Sequence, residues 1–309
     1  MSTFETRNKK RELTEKLIKS ALIIASAISI LTTFGILFSI LFESIEFFQM
    51  RSFWYFITGT EWSPGVEGSK FGAVPIFAGT FVITIIALCV AIPVGLGSAI
   101  YMSEYASSNT RDYLKPILEV LAGIPTVVYG FFAAITVAPF IVKAADWVGL
   151  EATFNSALAS GVVMGIMIIP VISSLSDDVI RSVPDSQRKA ALGLGLTQGE
   201  TIRDIVIPSA LPGIISASLL GLSKALGETM IVVMAAGLRP NLSWNPLEDM
   251  TTVTVTIVNS LVGDFEFNSP ETLSAFALGL VLFVVTLVLN IISLSLIRKF
   301  KEKYKVNTL

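Results

Sequence analysis

The sequence predicts an all-α membrane protein, a bundle of about six transmembrane helices. Hydrophobic residues make up 53% of the 309 positions and charged residues only 15%, whereas soluble domains carry about 25% charged residues. Apolar runs recur that are long enough to cross the hydrocarbon core, which takes about 20 residues. Most Lys and Arg residues lie in alternate connections between these runs, as in proteins of the cytoplasmic (inner) membrane. We therefore expect a multi-pass protein whose helices contact membrane lipid.

Five runs without charged residues are long enough to span the membrane. They are 21–42, 71–103, 120–142, 152–176 and 272–297. A sixth apolar run, about 212–238, is interrupted by Lys224 and Glu228. Because six is an even number, the two termini are expected on the same side of the membrane.

The distribution of basic residues predicts that both termini lie inside. In that orientation the inner segments hold 17 of the 22 Lys and Arg residues, and the outer segments hold 4. The inner segments are 1–20, 102–115, 174–211 and 298–309, and the outer segments are 43–76, 143–156 and 239–271. Cytoplasmic loops carry the excess of positive charge in membrane proteins, and the inverted arrangement would violate this rule at nearly every loop.

The composition excludes several classes of function. The chain has no histidine, and Cys89 is its single cysteine, which removes intrachain disulfides, zinc sites of the Cys/His type and imidazole catalysis. No G-x-x-x-x-G-K-[ST] segment occurs, so the chain carries no P-loop for its own ATP. The basic residues form no groove-sized patch for a nucleic acid. We expect no catalytic residue, metal site or cofactor.

The longest inner connection, 174–211, is predicted to form two short helices rather than a linker. Pro184 suits a helix start, and Gly195 permits a tight exit from that helix. Residues 197–200 (Thr-Gln-Gly-Glu) fit a capping box that opens a second short helix, which Pro208 would end. Acidic residues balance the basic ones here, which makes a DNA-reading helix-turn-helix a poor interpretation. We expect this segment to dock onto a cytoplasmic protein.

The same segment contains six positions with a characteristic spacing: Lys189, Ala190, Ala191, Gly195, Ile205 and Pro208. This pattern resembles the E-A-A…G…I-x-L-P loop of ABC importer permeases. Lys189 stands where that family usually has Glu, and Ile207 stands where it usually has Leu. In the family, the loop fits into a cleft on the ATPase subunit and transmits its closure to the membrane helices.

This resemblance implies the helix bundle of a type I ABC importer permease. It implies a permease core at 71–298 that contains the coupling loop 174–211. Residues 1–70 would add an N-terminal cytoplasmic segment, a first transmembrane helix and an outer loop, and 299–309 a cytoplasmic tail. The implied partners are a second homologous permease, a dimer of cytoplasmic ATP-binding subunits that hydrolyse the ATP, and an extracytoplasmic binding protein.

Three further stretches resemble the permeases of the high-affinity phosphate importer. They are 121–132 in the third span, 222–230 in the fifth span and 59–62 in the first outer loop. Of the two permeases of that importer, the PstC type has the similar extended outer loop and Gly-Glu-Thr-Met stretch. The resemblance implies that the cargo is phosphate, delivered by a phosphate-binding protein.

Lys224 and Glu228 are the main candidates for a substrate path. An ammonium group at the bilayer centre costs about 2.5–3.5 kcal/mol, so such groups usually face a bundle interior or an aqueous path. Lys224, near the middle of its predicted span, has the right charge for an oxyanion, and Glu228 at i+4 would pair with it in the absence of the anion. A permanent structural ion pair is the alternative. Pro125, Thr126 and Tyr129 are secondary candidates, because a proline-broken helix with hydroxyl groups can line a path.

Charge alone leaves other functions open. A permease for another oxyanion, such as sulfate, molybdate or phosphonate, would need a similar cation. A membrane sensor or scaffold would use the inner loop to dock a signalling protein without moving a cargo. A membrane enzyme is the weakest alternative, because the sequence shows no credible arrangement of nucleophile and base.

Overall fold

The structure, a computed structural model, describes residues 2–65, 68–262 and 266–303. These residues form α-helices, three π-helical turns and one two-stranded antiparallel sheet. The helices α1 to α13 are, in order, Ser2–Met50, Phe53–Thr58, Val74–Ile100, Ser108–Ala122, Thr126–Phe132, Ala138–Trp147, Ala157–Arg181, Asp185–Gly193, Gln198–Thr201, Ile207–Leu226, Met230–Ala235, Val253–Val262 and Pro270–Lys303. The strands are β1 (Trp62–Ser63) and β2 (Lys70–Phe71), and the π-helical turns are Tyr101–Tyr105, Ala133–Val137 and Ile202–Val206.

Six helical segments among the described residues are long and apolar enough to cross a membrane. They are Thr14–Met50, Val74–Tyr105, Thr126–Trp147, Ala157–Arg181, Gln198–Leu226 and Pro270–Lys299. The predicted all-α class and the predicted number of spans are therefore confirmed. Of the predicted tail 299–309, the first residues continue α13, and 304–309 lie outside the described residues.

The limits of all six spans differ from the predicted ones, and in two spans a break in the helix is the cause. The third was predicted at 120–142 but begins at Thr126, because Gly123 and Pro125 separate it from α4. Proline has no N–H to continue a helix and disfavours helical geometry in the residue before it. The fifth was predicted to reach residue 238, but α10 ends at Leu226 and the short helix α11 follows after a break.

The third π-helical turn lies directly before Pro208. There the backbone N–H of Ile207 donates to the carbonyl of Ile202, five residues back. The second π-helical turn has the same position relative to Pro139. Proline lacks an N–H, and its ring clashes with the carbonyl four residues back in an α-helix, so the wider turn accommodates it. The prediction that Pro208 ends a short helix was wrong, because the helix runs on from α9 into α10 as one span.

Helices α3 and α7 form a parallel pair at the centre of the bundle. A Cβ atom added at Gly161 of α7 would lie 2.7 Å from Ile86, and one added at Gly165 would lie 2.7 Å from Val90. Small residues four positions apart let the backbones of transmembrane helices approach closely. The Gly-x-x-x-Gly spacing of α7 therefore fixes how the two helices pack.

Helices α10 and α11 complete this core. Helix α10 runs antiparallel to α7, with Gly213 against Val179 and Gly221 against Ile172. The buried side chains of α11 pack into an apolar cluster that also contains Met164 and Ile168 of α7. The break between α10 and α11 thus lies against the packed centre of the protein.

The C-terminal ends of α3 and α7 meet α4 and α8 at one end of the bundle, which we call the α8 end. Salt bridges join these elements, with Arg111 of α4 at 2.6 Å from Asp177 of α7. Arg188 of α8 lies 2.8 Å from Glu104, in the π-helical turn after α3. The inner segments 102–115 and 174–211 that the sequence singled out are therefore neighbours.

Helix α1 is peripheral. The side chains of its most apolar stretch are unburied within the chain. Near its C-terminus, Phe47 packs edge-to-face against Phe56 and Phe71, with ring centroids 5.4 and 5.5 Å away. This aromatic cluster joins α1 to α2, the small sheet and the start of α13.

Candidate functional site

The candidate substrate path centres on the break between α10 and α11. Glycine at 227 follows the last residue of α10, and the backbone N–H of Glu228 still donates to the Ala225 carbonyl at 3.2 Å. Glu228 is only 8% exposed. One of its carboxylate oxygens, Oε1, accepts hydrogen bonds from the backbone N–H groups of Met230 at 2.9 Å and Ile231 at 3.2 Å. Glu228 therefore caps α11, satisfying N–H groups that have no partner within the helix.

The backbone of the break is held from a different part of the chain. The Thr254 hydroxyl donates to the Glu228 carbonyl at 2.7 Å, and the hydroxyl oxygens of Thr252 and Thr254 lie 3.0 Å apart. A hydroxyl group has one proton, so Thr252 must donate to Thr254. Sequence reasoning missed both threonines. Their signal is the run Thr-Thr-Val-Thr-Val-Thr at 251–256, which places several hydroxyl groups at the start of a short apolar helix.

Lys224 lies in the last turn of α10 and is half-buried. Its predicted position near the middle of a span was wrong, since the helix ends two residues later. The predicted ion pair with Glu228 is also absent: among the described residues, no carboxylate lies within salt-bridge distance of Lys224. The i+4 geometry does not apply because Glu228 lies beyond the helix end, where its carboxylate caps α11 instead. Lys224 is left as a half-buried cation next to the break.

The secondary candidates lie on α5. Pro125 is exposed and precedes the helix, and Thr126 is its half-buried first residue. The Tyr129 hydroxyl donates to the Leu121 carbonyl at 2.9 Å and so ties α5 to the end of α4. At Gly130 an added Cβ would lie 3.1 Å from the Met230 carbonyl. The structure thus brings α5 against α11, but no hydrogen bond among the described residues joins Thr126 or Tyr129 to Lys224 or Glu228.

The second part of the site is the segment 174–211 at the α8 end, which we call the coupling segment. The two short helices predicted around a glycine turn are present as α8 and α9, and Gly195 between them has a φ of +91°, which favours glycine. The predicted capping box is confirmed. The backbone N–H of Thr197 donates to a Glu200 carboxylate oxygen at 2.8 Å, and the backbone N–H of Glu200 donates to the Thr197 hydroxyl at 3.3 Å.

The six motif positions of this segment divide into an inner and an outer set. Ala191 is buried, and Ile205 and Pro208 are half-buried, so these three hold the segment against the bundle. Lys189, Ala190 and Gly195 are exposed. Two large apolar side chains are exposed beside them, Leu192 to 50% and Leu194 to 83%. The outer side of this segment therefore combines a basic residue with exposed apolar side chains.

Ion pairs fix the elements beneath the coupling segment. Asp177 is fully buried, and its partner Arg111 has only 18% of its side chain exposed. Lys115 of α4 lies 2.5 Å from Asp178, one residue further along α7. The hydrogen bond to Asp177 raises the pKa of Arg111 above its usual value, so this guanidinium stays charged at any physiological pH.

Relatives of the chain are permeases of ABC transport systems. The profile for "Binding-protein-dependent transport system inner membrane component" matches residues 91–303. The chain is 33% identical over 276 residues to the phosphate transport system permease protein PstC 1 of Mycobacterium tuberculosis, covering 79% of this chain and 82% of that protein. It is 35% identical over 249 residues to PstC of Mesorhizobium japonicum, covering 75% of this chain and 74% of that protein. It is 35% identical over 251 residues to the probable ABC transporter permease protein YqgH of Bacillus subtilis, covering 81% and 78%.

Solved structures share the fold at lower sequence identity. The MetNI methionine ABC transporter in an inward-facing conformation matches with a TM-score of 0.54 at 16% identity, covering 73% of this chain and 93% of that one. A bacterial ABC transporter involved in the import of alginate matches with a TM-score of 0.55 at 16% identity, covering 73% and 79%. Both matches show the helix bundle of a type I ABC importer permease. The chain therefore belongs to the binding-protein-dependent transport system inner membrane components, as a multi-pass permease subunit of the inner membrane.

Proposed function

We propose that this chain is the PstC-type permease of an ATP-driven importer of inorganic phosphate. The observation that carries the proposal is the identity of 33–35% to PstC permeases over at least three quarters of the chain. Two of the three stretches that resembled phosphate permeases meet at the break between α10 and α11: 222–230 contains the break, and 121–132 packs against α11 at Gly130. The cargo and the geometry of the break therefore point to the same part of the molecule.

Lys224 is the residue we expect to meet the anion. Half-burial of an ammonium group that has no carboxylate partner among the described residues is unfavourable, because an unpaired charge loses solvation when it is buried. A transported oxyanion would lower that cost at the moment it passes, whereas a permanent ion pair would compete with it. Glu228 shapes the break by capping α11. Thr126 and Tyr129 lie on the helix that packs against α11, and Pro125 directly precedes that helix.

The α8 end is proposed to face the cytoplasm, with both termini inside. There α8 and the exposed leucines Leu192 and Leu194 are expected to dock into an ATP-binding subunit, which hydrolyses the ATP. The remaining proposed partners are a second ATP-binding subunit, a second homologous permease and an extracytoplasmic phosphate-binding protein. Lys189 in the docking surface has the charge opposite to the usual Glu, so we expect a complementary acidic contact on the ATPase.

The test is uptake of labelled phosphate by cells that lack this chain, with and without a plasmid copy, and with labelled sulfate as the control. Restored phosphate uptake with unchanged sulfate uptake supports the proposal. If phosphate uptake does not respond although the protein is in the membrane, the phosphate assignment fails and the permease has another cargo.

A further inference from the structure

Arg188 of the coupling helix α8 is held by a nearly complete set of acceptors. Its guanidinium donates to the Glu104 carboxylate through Nη2 at 2.8 Å and through Nε at 3.4 Å. It also donates to the backbone carbonyls of Ile180, at 2.9 Å, and of Val183. A weaker contact reaches Asp185 at 3.4 Å. A guanidinium group that binds a carboxylate through two of its nitrogens fixes the relative orientation of the two side chains as well as the distance between them.

The pair is mostly buried, at the wall of a polar cavity that opens to the surface. The side chain of Arg188 is 17% exposed and that of Glu104 is 8% exposed. Beneath it lies an apolar cluster that includes the fully buried Ala99, Ile180 and Val206. Water therefore screens this interaction far less than it screens an ion pair on the surface.

Glu104 connects three elements at one point. It belongs to the π-helical turn Tyr101–Tyr105 that continues α3. Its side chain receives Arg188 of α8, and its backbone carbonyl accepts a hydrogen bond from the Gln198 side chain at 3.0 Å. Because Arg188 also bonds Ile180 at the end of α7, both short helices of the coupling segment are tied to the ends of α3 and α7.

We propose that Glu104 and Arg188 are positioning residues that make α8 move as one body with the ends of α3 and α7. The chain itself links α8 only to its sequence neighbours, α7 and α9. The Glu104–Arg188 pair adds the connection to α3, the helix that packs most closely on α7 in the core. The inference rests on the proposed function, since it assumes that an ATPase subunit moves α8 during transport.

The experiment uses the whole importer purified in lipid, containing this chain, its second permease and its ATPase subunits, together with the binding protein. The main variant is the double substitution Glu104→Gln with Arg188→Gln, which leaves neither residue as an unpaired buried charge. Arg188→Lys keeps the charge but loses the fork. Arg298→Gln is the control, because Arg298 is an exposed residue near the end of α13, outside the proposed site.

The first readout is the amount of phosphate imported per ATP hydrolysed. The double variant should retain its ATPase subunits on purification and import about ten-fold less phosphate per ATP, the scale on which residues of a coupled network alter coupling. Arg188→Lys should fall between the double variant and the unaltered protein, and Arg298→Gln should match the unaltered protein. An unchanged ratio in the double variant would overturn the proposal. So would loss of the ATPase subunits, because the pair would then only shape the docking surface.

The second readout does not depend on the cargo. Binding of a non-hydrolysable ATP analogue should change amide hydrogen exchange in α8 and at 101–105 together in the unaltered complex. In the double variant the change should stay confined to α8. If 101–105 still responds in the double variant, the pair does not carry the motion. A complex that shows this response but imports no phosphate would contradict only the proposed cargo.

Discussion

Gly165→Ala should loosen the central pair of helices. The new methyl group would lie 2.7 Å from the Val90 Cβ and 2.8 Å from the Ala87 carbonyl oxygen, whereas non-bonded carbon atoms pack at about 3.5–4.0 Å. A Cβ and a backbone oxygen cannot move by changing rotamer. The two helices must therefore separate by about 1 Å at this level, judged from the same optimal contact distance.

The cost follows from two opposing effects. Overpacking a tight interior costs about 1–3 kcal/mol, and the absence of a yielding side chain places this site at the upper end. Replacing Gly by Ala inside a helix raises stability by about 1 kcal/mol, because Ala has the higher helix propensity. We expect a net loss of about 2 kcal/mol, which corresponds to a decrease in Tm of roughly 4–8 °C on the scale of 150–250-residue proteins.

The assay is thermal unfolding of the purified chain in detergent, followed by tryptophan fluorescence. The matched control is Gly97→Ala, an identical substitution inside α3 at a position where nothing lies within 4 Å of the added Cβ. That variant should be at least as stable as the unaltered protein. Equal Tm values for the two variants would refute the packing of α3 on α7 described above.

Three further predictions concern charged residues. Lys224→Gln should abolish phosphate uptake without lowering the amount of protein in the membrane, and Lys224→Arg should retain it; normal uptake with Gln would exclude Lys224 from the path. Asp177→Asn should lower the free energy of unfolding by about 2 kcal/mol. This is less than the roughly 3–5 kcal/mol lost when a fully buried pair is broken, because Asp178 stays 3.8 Å from Arg111. Adding Arg111→Gln should lower the free energy of unfolding little further, and a large additional loss would argue against the pair. Hydrogen bonds from the side chains of Asn241, Ser243 and Asn245 lower the pKa of Glu248. The ionised Glu248 therefore stabilises the folded protein fully above the pKa that this residue has in the unfolded chain. This stabilisation is lost as the pH falls through the pKa of Glu248 in the folded protein. Glu248→Gln should therefore lower Tm at pH about 7 and make no difference at pH about 2, below the usual pKa range of a carboxyl group; an equal effect at both values would contradict the assignment.

Hydropathy predicts the spans well and their limits poorly. The six apolar runs were found because crossing hydrocarbon imposes a length and a composition that few other structures share. The end of α10 was missed because the residues of α11 are as apolar as those before the break. Only the Gly-Glu pair at 227–228 marks the end of α10. The role of this pair becomes visible only in the structure, where the Glu228 carboxylate accepts hydrogen bonds from the N–H groups of Met230 and Ile231.

Residues close in sequence predict the local structure of the coupling segment, but they do not predict its contacts with distant parts of the chain. The capping box at 197–200 and the turn at Gly195 follow from residues close in sequence. Arg111 and Asp177 are 66 positions apart, and Glu104 and Arg188 are 84 positions apart. No periodicity or spacing links such residues, so only the packing of α3 on α7 reveals that they meet.

The most direct test of the phosphate importer is transport by purified components. The complex of this chain with its second permease and ATPase subunits is reconstituted in liposomes with ATP on the side of the α8 end and the binding protein on the other side. Labelled phosphate should accumulate on the ATP side only when ATP and the binding protein are both present, while labelled sulfate should not. ATP hydrolysis without any accumulation of phosphate would contradict the proposed function.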